Sequence, residues 1–381
     1  MLLKISRNKR IDCLRGIAIL LVLILHFHLS YHLDQSALNK ILAVDFIKAI
    51  AQNGNYGVTM FFVISGFLIT STSLKRYKEL GEINIINFYQ LRFARIIPCL
   101  LLMLALVIIF HSVHIAIFAN VPNNVSFTLA ILSVITFWHN VLMAKVGYFN
   151  YCLNILWSLS VEETFYLTFP LLCLFFKRTR YIAFSWLALI IIAPIYRHFY
   201  TNNEIVALYG YLSCFDAIAI GCCTALIANK IQLNGRFGIS IQYGSGLLIT
   251  LVYLYSDIMA NVVMGVSLVA IGTGILLLGA SQTAIQPTNS TPIINRIICW
   301  FGQNSYELYL FHIIVLALMK EIYSRESLGD YSKLIWFAIF IFISSLISGT
   351  IARFYSQPAN AWLRKFFLEF SQRKTLAADN Y

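Results

Sequence analysis

Long apolar stretches separated by short polar ones set the pattern of this chain. They centre on 16–33, 56–73, 96–118, 126–143, 155–176, 181–199, 205–228, 239–256, 259–280, 305–323 and 334–354. Most approach the ~20 residues that an α-helix needs to cross a bilayer. Basic residues mark four of the gaps: Lys4, Arg7, Lys9 and Arg10 at the start; Lys75, Arg76, Lys78, Arg92 and Arg95 within 74–95; Lys177, Arg178 and Arg180; and Arg364, Lys365, Arg373 and Lys374 in the tail. Lysine and arginine gather in cytoplasmic loops, so all four should face the cytoplasm. Counting every run as a crossing puts 177–180 and the tail outside. Dropping 126–143, which is short, lacks flanking charge and ends in Trp138-His139-Asn140, repairs both. The pattern therefore predicts an all-α integral membrane protein: about ten transmembrane helices in one bundle, both termini cytoplasmic. The 126–143 segment should be re-entrant or interfacial, its polar end buried in protein or in contact with water.

Composition narrows this further. Of 381 residues, 59% are hydrophobic and only 12% charged, and the mean hydropathy is +0.76. Soluble domains carry about 25% charged residues, so soluble, disordered and coiled-coil classes are excluded. No linker is long enough to separate a pair of folded domains. The longest polar stretch, 281–296, holds Pro287 and Pro292 and reads as a loop. No fixed-period repeat is visible. One transmembrane domain over 1–381 is expected, with a basic cytoplasmic tail from about 356 and no appended soluble catalytic domain. The run from Ile17 to Leu33 follows a basic start but lacks a clear cleavage site and sits with Arg15 and His26, so it reads as an uncleaved first helix. Cys13, Cys99, Cys152, Cys173, Cys214, Cys222, Cys223 and Cys299 mostly fall inside apolar runs without a Cys-x-x-Cys pair. They read as packing residues rather than a disulfide framework or a zinc site. The net charge of +12 follows from the positive-inside bias, with an anionic ligand as a second contributor; nucleic acid is not expected.

Ionisable side chains inside apolar runs cost at least ~2.5 kcal/mol each and mark candidate chemistry. Arg15 and His26 share the first helix, roughly 16 Å apart at 1.5 Å per residue. Asp12, three residues before Arg15, can pair with it. His28 and His32 lie nearer the outer end and read as interfacial, as do His111 and His114; His139 is a candidate at the acceptor entrance. Arg92 and Arg95 precede the run that starts at Ile96 and project from one face of a helix start, with Pro98 in its first turn. Helix starts favour anions, and guanidiniums grip phosphates in bidentate fashion. The same arginines also fit an ordinary cytoplasmic flank. In the stretch Trp157 to Tyr166, the adjacent Glu162 and Glu163 point about 100° apart on a helix, so one faces a lumen. Ser158, Glu162 and Tyr166 form a polar stripe, and Glu162 reaches a depth compatible with His26. A histidine beside a carboxylate is a common form of general base. Ser305, Tyr309 and His312 share another helix face, His312 either lining the cavity or cross-linking helices. Small residues in Phe61 to Phe67 permit close helix contact. Asp216 is a buried acid without a recognisable partner.

These residues resemble the acyltransferase-3 family of transmembrane acyltransferases over about 11–355. The carriers are Ile11 to Ala18 followed by His26, the stretch Phe61 to Phe67, Arg92-Phe93-Ala94-Arg95-Ile96-Ile97-Pro98, the stretch Trp157 to Tyr166 with Pro170 beyond, and Gly302 to His312. The resemblance implies a ten-helix membrane domain that moves an acyl group, commonly acetyl from acetyl-CoA, onto a hydroxyl of a carbohydrate or another acceptor. It implies acyl-CoA use for Arg92 and Arg95, and an essential pair in Arg15 and His26. Some relatives carry a further esterase-like domain. Its absence here suggests direct transfer to a glycan or lipid-linked glycan, or a separate partner.

The resulting expectation is an O-acetyltransferase of the bacterial inner membrane. Acetyl-CoA docks from the cytoplasm on Arg15, Arg92 and Arg95. His26 takes the acceptor proton, Glu162 orients the imidazole, and Tyr166 or Ser158 supports it; Trp157 belongs to the same motif. No metal is expected. Membrane lipids are the surrounding partner, and a homo-oligomer stays open. A transporter or flippase with a His/Glu proton relay, or an acyl-CoA sensor without turnover, are the competing classes.

Overall fold

The computed structural model describes residues 8–121, 125–282 and 292–378, with side chains to residue 370. Lys4, Arg7, Pro287 and the side chains of Arg373 and Lys374 lie outside the described residues. Every regular element among the described residues is a helix. In chain order these are α1 (Lys9–Tyr31), α2 (Val44–Gln52), α3 (Tyr56–Tyr77), α4 (Ile85–Ser112), α5 (Phe127–Ile135), α6 (His139–Val146), α7 (Trp157–Phe176), α8 (Thr179–Phe199), α9 (Glu204–Tyr209), α10 (Tyr211–Lys230), α11 (Gly235–Tyr255), α12 (Val262–Gln282), α13 (Ile293–Gln303), α14 (Ser305–Ile322), α15 (Asp330–Ile351) and α16 (Gln357–Ala378).

Nine helical segments among the described residues are long and apolar enough to cross a bilayer. They contain α1, α3, α4, α7, α8, α10, α11, α12 and α15. The remaining long run gives α14, whose 18 residues reach ~27 Å at 1.5 Å per residue. Glu307, Lys320 and Glu321 raise its charge, yet Leu308, Leu310, His312 and Leu316 along it are fully buried. It is a central helix sheathed by others. Large apolar side chains such as Phe184, Leu247 and Phe342 instead stand exposed on α8, α11 and α15. Apolar surface of this extent is stable against lipid, and the protein is an integral membrane protein.

The 126–143 run does not make a spanning helix. It breaks into α5 and α6, of 9 and 8 residues, around Phe137 in a left-handed conformation with φ 60°. Nine residues rise only ~13 Å. The break is tolerated because the freed Phe137 carbonyl accepts bonds from the Tyr211 hydroxyl at 2.5 Å and the Thr164 hydroxyl at 3.4 Å. The 205–228 run is likewise divided at Gly210 into α9 and α10.

Two expectations need correction. α4 starts at Ile85, so Arg92 and Arg95 stand two to three turns inside a helix rather than at its start, and Pro98 lies in the interior. The polar first turns of α4 are amphipathic, and a search for apolar runs passes over them. The helix-end contribution to anion binding is therefore absent; the guanidiniums themselves remain. Second, Cys13 and Cys299 form a disulfide between α1 and α13, across 286 residues of sequence. Gly16 and Gly302 bring the two backbones so close that a Cβ on Gly302 would strike the Asp12 carbonyl, and the cysteine Cα atoms come within 4.3 Å. The other six cysteines are buried or half-buried packing residues, as expected.

The close approach expected of the Phe61–Phe67 stretch is realised between α3 and α10. Gly66 faces the Ile218 carbonyl and Gly221 faces the Val63 carbonyl, each without room for a side chain. This reciprocal contact seats Ser65, one position before Gly66, beside the cavity described next.

Candidate active site

α1, α3, α4, α7 and α14 enclose a cavity of about 100 Å³. Three guanidiniums line it: Arg15 from α1, and Arg92 and Arg95 from α4. Arg15 Nη2 donates to Ser305 Oγ at 2.8 Å, which ties the start of α1 to the start of α14. Arg92 lies over the Tyr166 ring, 4.2 Å from its centroid, so the ring face fixes the guanidinium plane. Tyr306, also in the wall, donates its hydroxyl proton to the Ile96 carbonyl at 2.9 Å, one residue from Arg95. Asp12, in the first turn of α1, is buried where Gly302 packs against it.

Further along the cavity stands Glu162. Its Oε1 accepts from Ser65 Oγ at 2.5 Å and from the Tyr166 hydroxyl, and Ser65 and Tyr166 are themselves in contact. Glu163 is buried on the adjacent face, as the 100° step between neighbours requires, within electrostatic reach of Glu162, Arg92 and Arg95. Ser158, one turn before Glu162, bonds the Tyr309 hydroxyl at 2.6 Å instead of the carboxylate. The Tyr309 proton goes to the Ile155 carbonyl at 2.8 Å, so the two hydroxyls stitch α14 to α7 at the end of the cavity. Trp157 packs outside this wall, stacked on Tyr209 at 4.2 Å and edge-on to Phe62.

His26 does not meet Glu162. It lies behind Tyr309, paired with His312: His26 Nδ1 is 3.2 Å from His312 Nε2 and 3.0 Å from the Val22 carbonyl. The expected histidine–carboxylate pair is thus replaced by a histidine–histidine pair, because α14 lies between α7 and this part of α1. The tautomers follow from the partners. A carbonyl oxygen only accepts, so His312 Nδ1, 2.8 Å from the Leu308 carbonyl, carries the proton and leaves Nε2 as acceptor. His26 Nδ1–H then donates to both the Val22 carbonyl and His312 Nε2. Both contacts of His26 use Nδ1, and Nε2 is left with its lone pair. The common face expected for Ser305, Tyr309 and His312 is present, each residue holding a different part of the site.

The sequence that builds this arrangement matches a known protein family. The profile described as "Acyltransferase domain" matches residues 8–353. The chain belongs to the acyltransferase-3 family. Among curated proteins, this acyltransferase-3 chain is 25% identical to O-acetyltransferase OatA of Staphylococcus aureus strain MRSA252 over 387 residues, covering 96% of the chain and 59% of that protein. It is 25% identical to O-acetyltransferase OatA of strain NCTC 8325 over 370 residues, covering 91% of the chain and 56% of that protein. The chain thus matches less than two thirds of each relative's length. No solved structure matches it.

The structure of this acyltransferase-3 chain also supplies the partner of Asp216. Arg197 of α8, fully buried, grips Asp216 of α10 in bidentate fashion, with Nη2–Oδ2 2.7 Å and Nη1–Oδ1 3.2 Å. Ser267 of α12 accepts from Arg197 at 2.5 Å and donates to Asp216 at 2.9 Å. This knot joins three helices away from the cavity and reads as structural. Arg197 was missed because it sits near the end of its apolar run, where a basic residue reads as a flank. Arg364 of α16 was missed too; it lies within electrostatic reach of Arg76, Arg92 and Arg95 and extends the cationic end of the site. His139, the candidate at the acceptor entrance, is fully buried, with Nδ1 2.8 Å from Ser133 Oγ. At the end of α1, His28 is buried within the protein, while His32 is half-buried.

Proposed function

We propose that this protein is a membrane O-acetyltransferase that moves an acetyl group from acetyl-CoA to a hydroxyl of a cell-surface glycan or its lipid-linked precursor. The observation that carries the reading is the cavity that joins Arg15, Arg92 and Arg95 to Glu162 and Tyr309; the His26–His312 pair lies behind its Tyr309 wall, with the His312 ring 6.0 Å from the Tyr309 ring. The basic gaps of the sequence put the guanidinium end toward the cytoplasm, where acyl-CoA is found. The bacterial inner membrane fits this orientation.

In this reading Arg15, Arg92 and Arg95 bind the phosphates of the donor, and Arg364 adds to the field. The thioester carbonyl comes to lie near Tyr309. His26 Nε2 accepts the acceptor hydroxyl proton while the oxygen attacks the thioester carbon, and CoA leaves as the thiolate. The imidazolium formed on His26 shares its Nδ1 proton with His312 Nε2 and the Val22 carbonyl, which is the base-plus-orienter arrangement of nucleophile activation. Glu162, held by Ser65 and Tyr166, keeps Tyr166 under the Arg92 guanidinium. It acts as a positioning residue for the donor site. The OatA names of the relatives support the acetyl group and the O-linked product.

Replacing Arg92 and Arg95 together with alanine tests the donor site. Each charge-assisted hydrogen bond is worth about 1.5–3 kcal/mol, so affinity for acetyl-CoA should fall by at least roughly 10²-fold in titration calorimetry. The protein should remain monodisperse in detergent. Lysine replacements should recover only a fraction of the affinity, since an ammonium lacks the guanidinium fork. Unchanged affinity in the alanine variant would remove these arginines from the donor site.

A further inference from the structure

At the end of α1 away from the guanidiniums, three donor atoms converge. His28 and His32 are four residues apart, one helical turn. His32 closes α1 in a left-handed conformation, φ 54°, with its N–H donating to the His28 carbonyl at 2.8 Å. That conformation is uncommon outside glycine and costs backbone energy. It folds the following turn, Leu33–Gln35, back so that Asp34 faces both imidazoles. Asp34 Oδ1 is 3.7 Å from His28 Nδ1 and 3.6 Å from His32 Nδ1, and ligand atoms of all three residues lie within 4.8 Å of one another.

These separations are too long for hydrogen bonds. His28 is 2% exposed, and neither its Nδ1 nor Asp34 Oδ1, both buried atoms, has a hydrogen-bond partner. An unmet buried polar atom costs about 1–3 kcal/mol, and here two of them aim at the same point. A shared ion satisfies both. Around a tetrahedral zinc with bonds of 2.0–2.2 Å, neighbouring ligand atoms stand about 3.3–3.6 Å apart, within a few tenths of the two carboxylate–imidazole separations, while the imidazole nitrogens lie within 4.8 Å of each other.

We propose that His28, His32 and Asp34 bind one divalent transition-metal ion, zinc by preference. Two imidazoles and a carboxylate suit zinc and cobalt, and disfavour magnesium and calcium, which take oxygen ligands. Lys48, Arg325 and Lys333 also face the imidazoles and oppose any loosely held dication. Affinity must therefore come from direct coordination, which selects nitrogen-binding metals still more strongly. With three protein ligands, a water fills the fourth position. The ion clips the end of α1 to the turn beyond it, about 9 Å along the helix from His26 at 1.5 Å per residue. The proposal stands apart from the acetyltransferase reading, and its test reads metal rather than turnover.

Full-length protein purified in detergent is loaded with Zn²⁺, passed through a desalting column and measured by atomic emission. About one zinc per chain is expected. Titration with Co²⁺ should give the intense visible absorption of a four-coordinate site. His32→Gln and Asp34→Asn should each lower retained zinc by ~tenfold or more. His114→Gln, at an exposed histidine, should leave it unchanged. Equal zinc retention by wild type and the His32→Gln/Asp34→Asn double variant overturns the site. A cobalt spectrum matching the free hydrated ion, or tighter binding of Ca²⁺ than of Zn²⁺, overturns the metal class.

Discussion

Replacing His26 with alanine is expected to cut acetyl transfer by roughly 10²–10⁴-fold, the usual contribution of a positioned general base. Release of free CoA from acetyl-CoA in the presence of a glycan acceptor, followed with a thiol reagent, measures it. The loss should fall on kcat, with donor affinity retained, because His26 lies beyond the arginines proposed to hold the phosphates. His312 separates this account from the carboxylate alternative. His312→Leu removes the acceptor for His26 Nδ1–H and should lower kcat. His312→Gln keeps an acceptor and should restore some of it. Glu162→Gln should act chiefly on KM for acetyl-CoA. A large loss of kcat in Glu162→Gln with a silent His312→Leu would return the carboxylate to the role of orienting group. Full activity in His26→Ala would end the general-base reading, and solute movement without thiol release would favour a transporter.

Arg197→Ala should destabilise the protein by about 3–5 kcal/mol, the cost of leaving one partner of a buried ion pair unmet. Arg197 and Asp216 are both fully buried, and the pair holds α8, α10 and α12 through Ser213, Val263 and Ser267. The check is a marked fall in the midpoint of thermal unfolding in detergent. The double variant Arg197→Leu/Asp216→Leu, which removes both charges, should recover much of the loss. An unchanged midpoint in Arg197→Ala would mean that water or lipid headgroups reach the pair. The knot matters to the site because α10 packs against α3 through Gly66 and Gly221, and α3 carries Ser65.

Much of the site was legible because the side chains concerned are expensive in a bilayer. Arg15, Arg92, Arg95, Glu162, Ser158, Tyr166, Ser305 and Tyr309 stand out as polar residues in or beside apolar runs, and all line one cavity. Their partners were less legible. Depth along a helix follows from residue number, so Glu162 and His26 looked level. The direction in which each helix face points depends on its neighbours, and α14 intervenes. The start of α4 was misread for a related reason: an apolar-run search ends a helix where its lipid-facing stripe ends, while the backbone hydrogen bonds continue into amphipathic turns.

The sequence by itself determined that this chain is an all-helical membrane protein, which runs form long apolar helices, that 126–143 does not, and which polar groups are candidates for chemistry. These follow from local hydrophobicity and the cost of charge in lipid, which need no knowledge of neighbours. Only the tertiary structure decided that His26 pairs with His312, that Asp216 pairs with Arg197, that Cys13 joins Cys299, and that His28, His32 and Asp34 converge. Apart from the last, each is a contact between segments far apart in the chain. Such pairings are set by helix rotation and close backbone packing, and composition and spacing do not encode these directly.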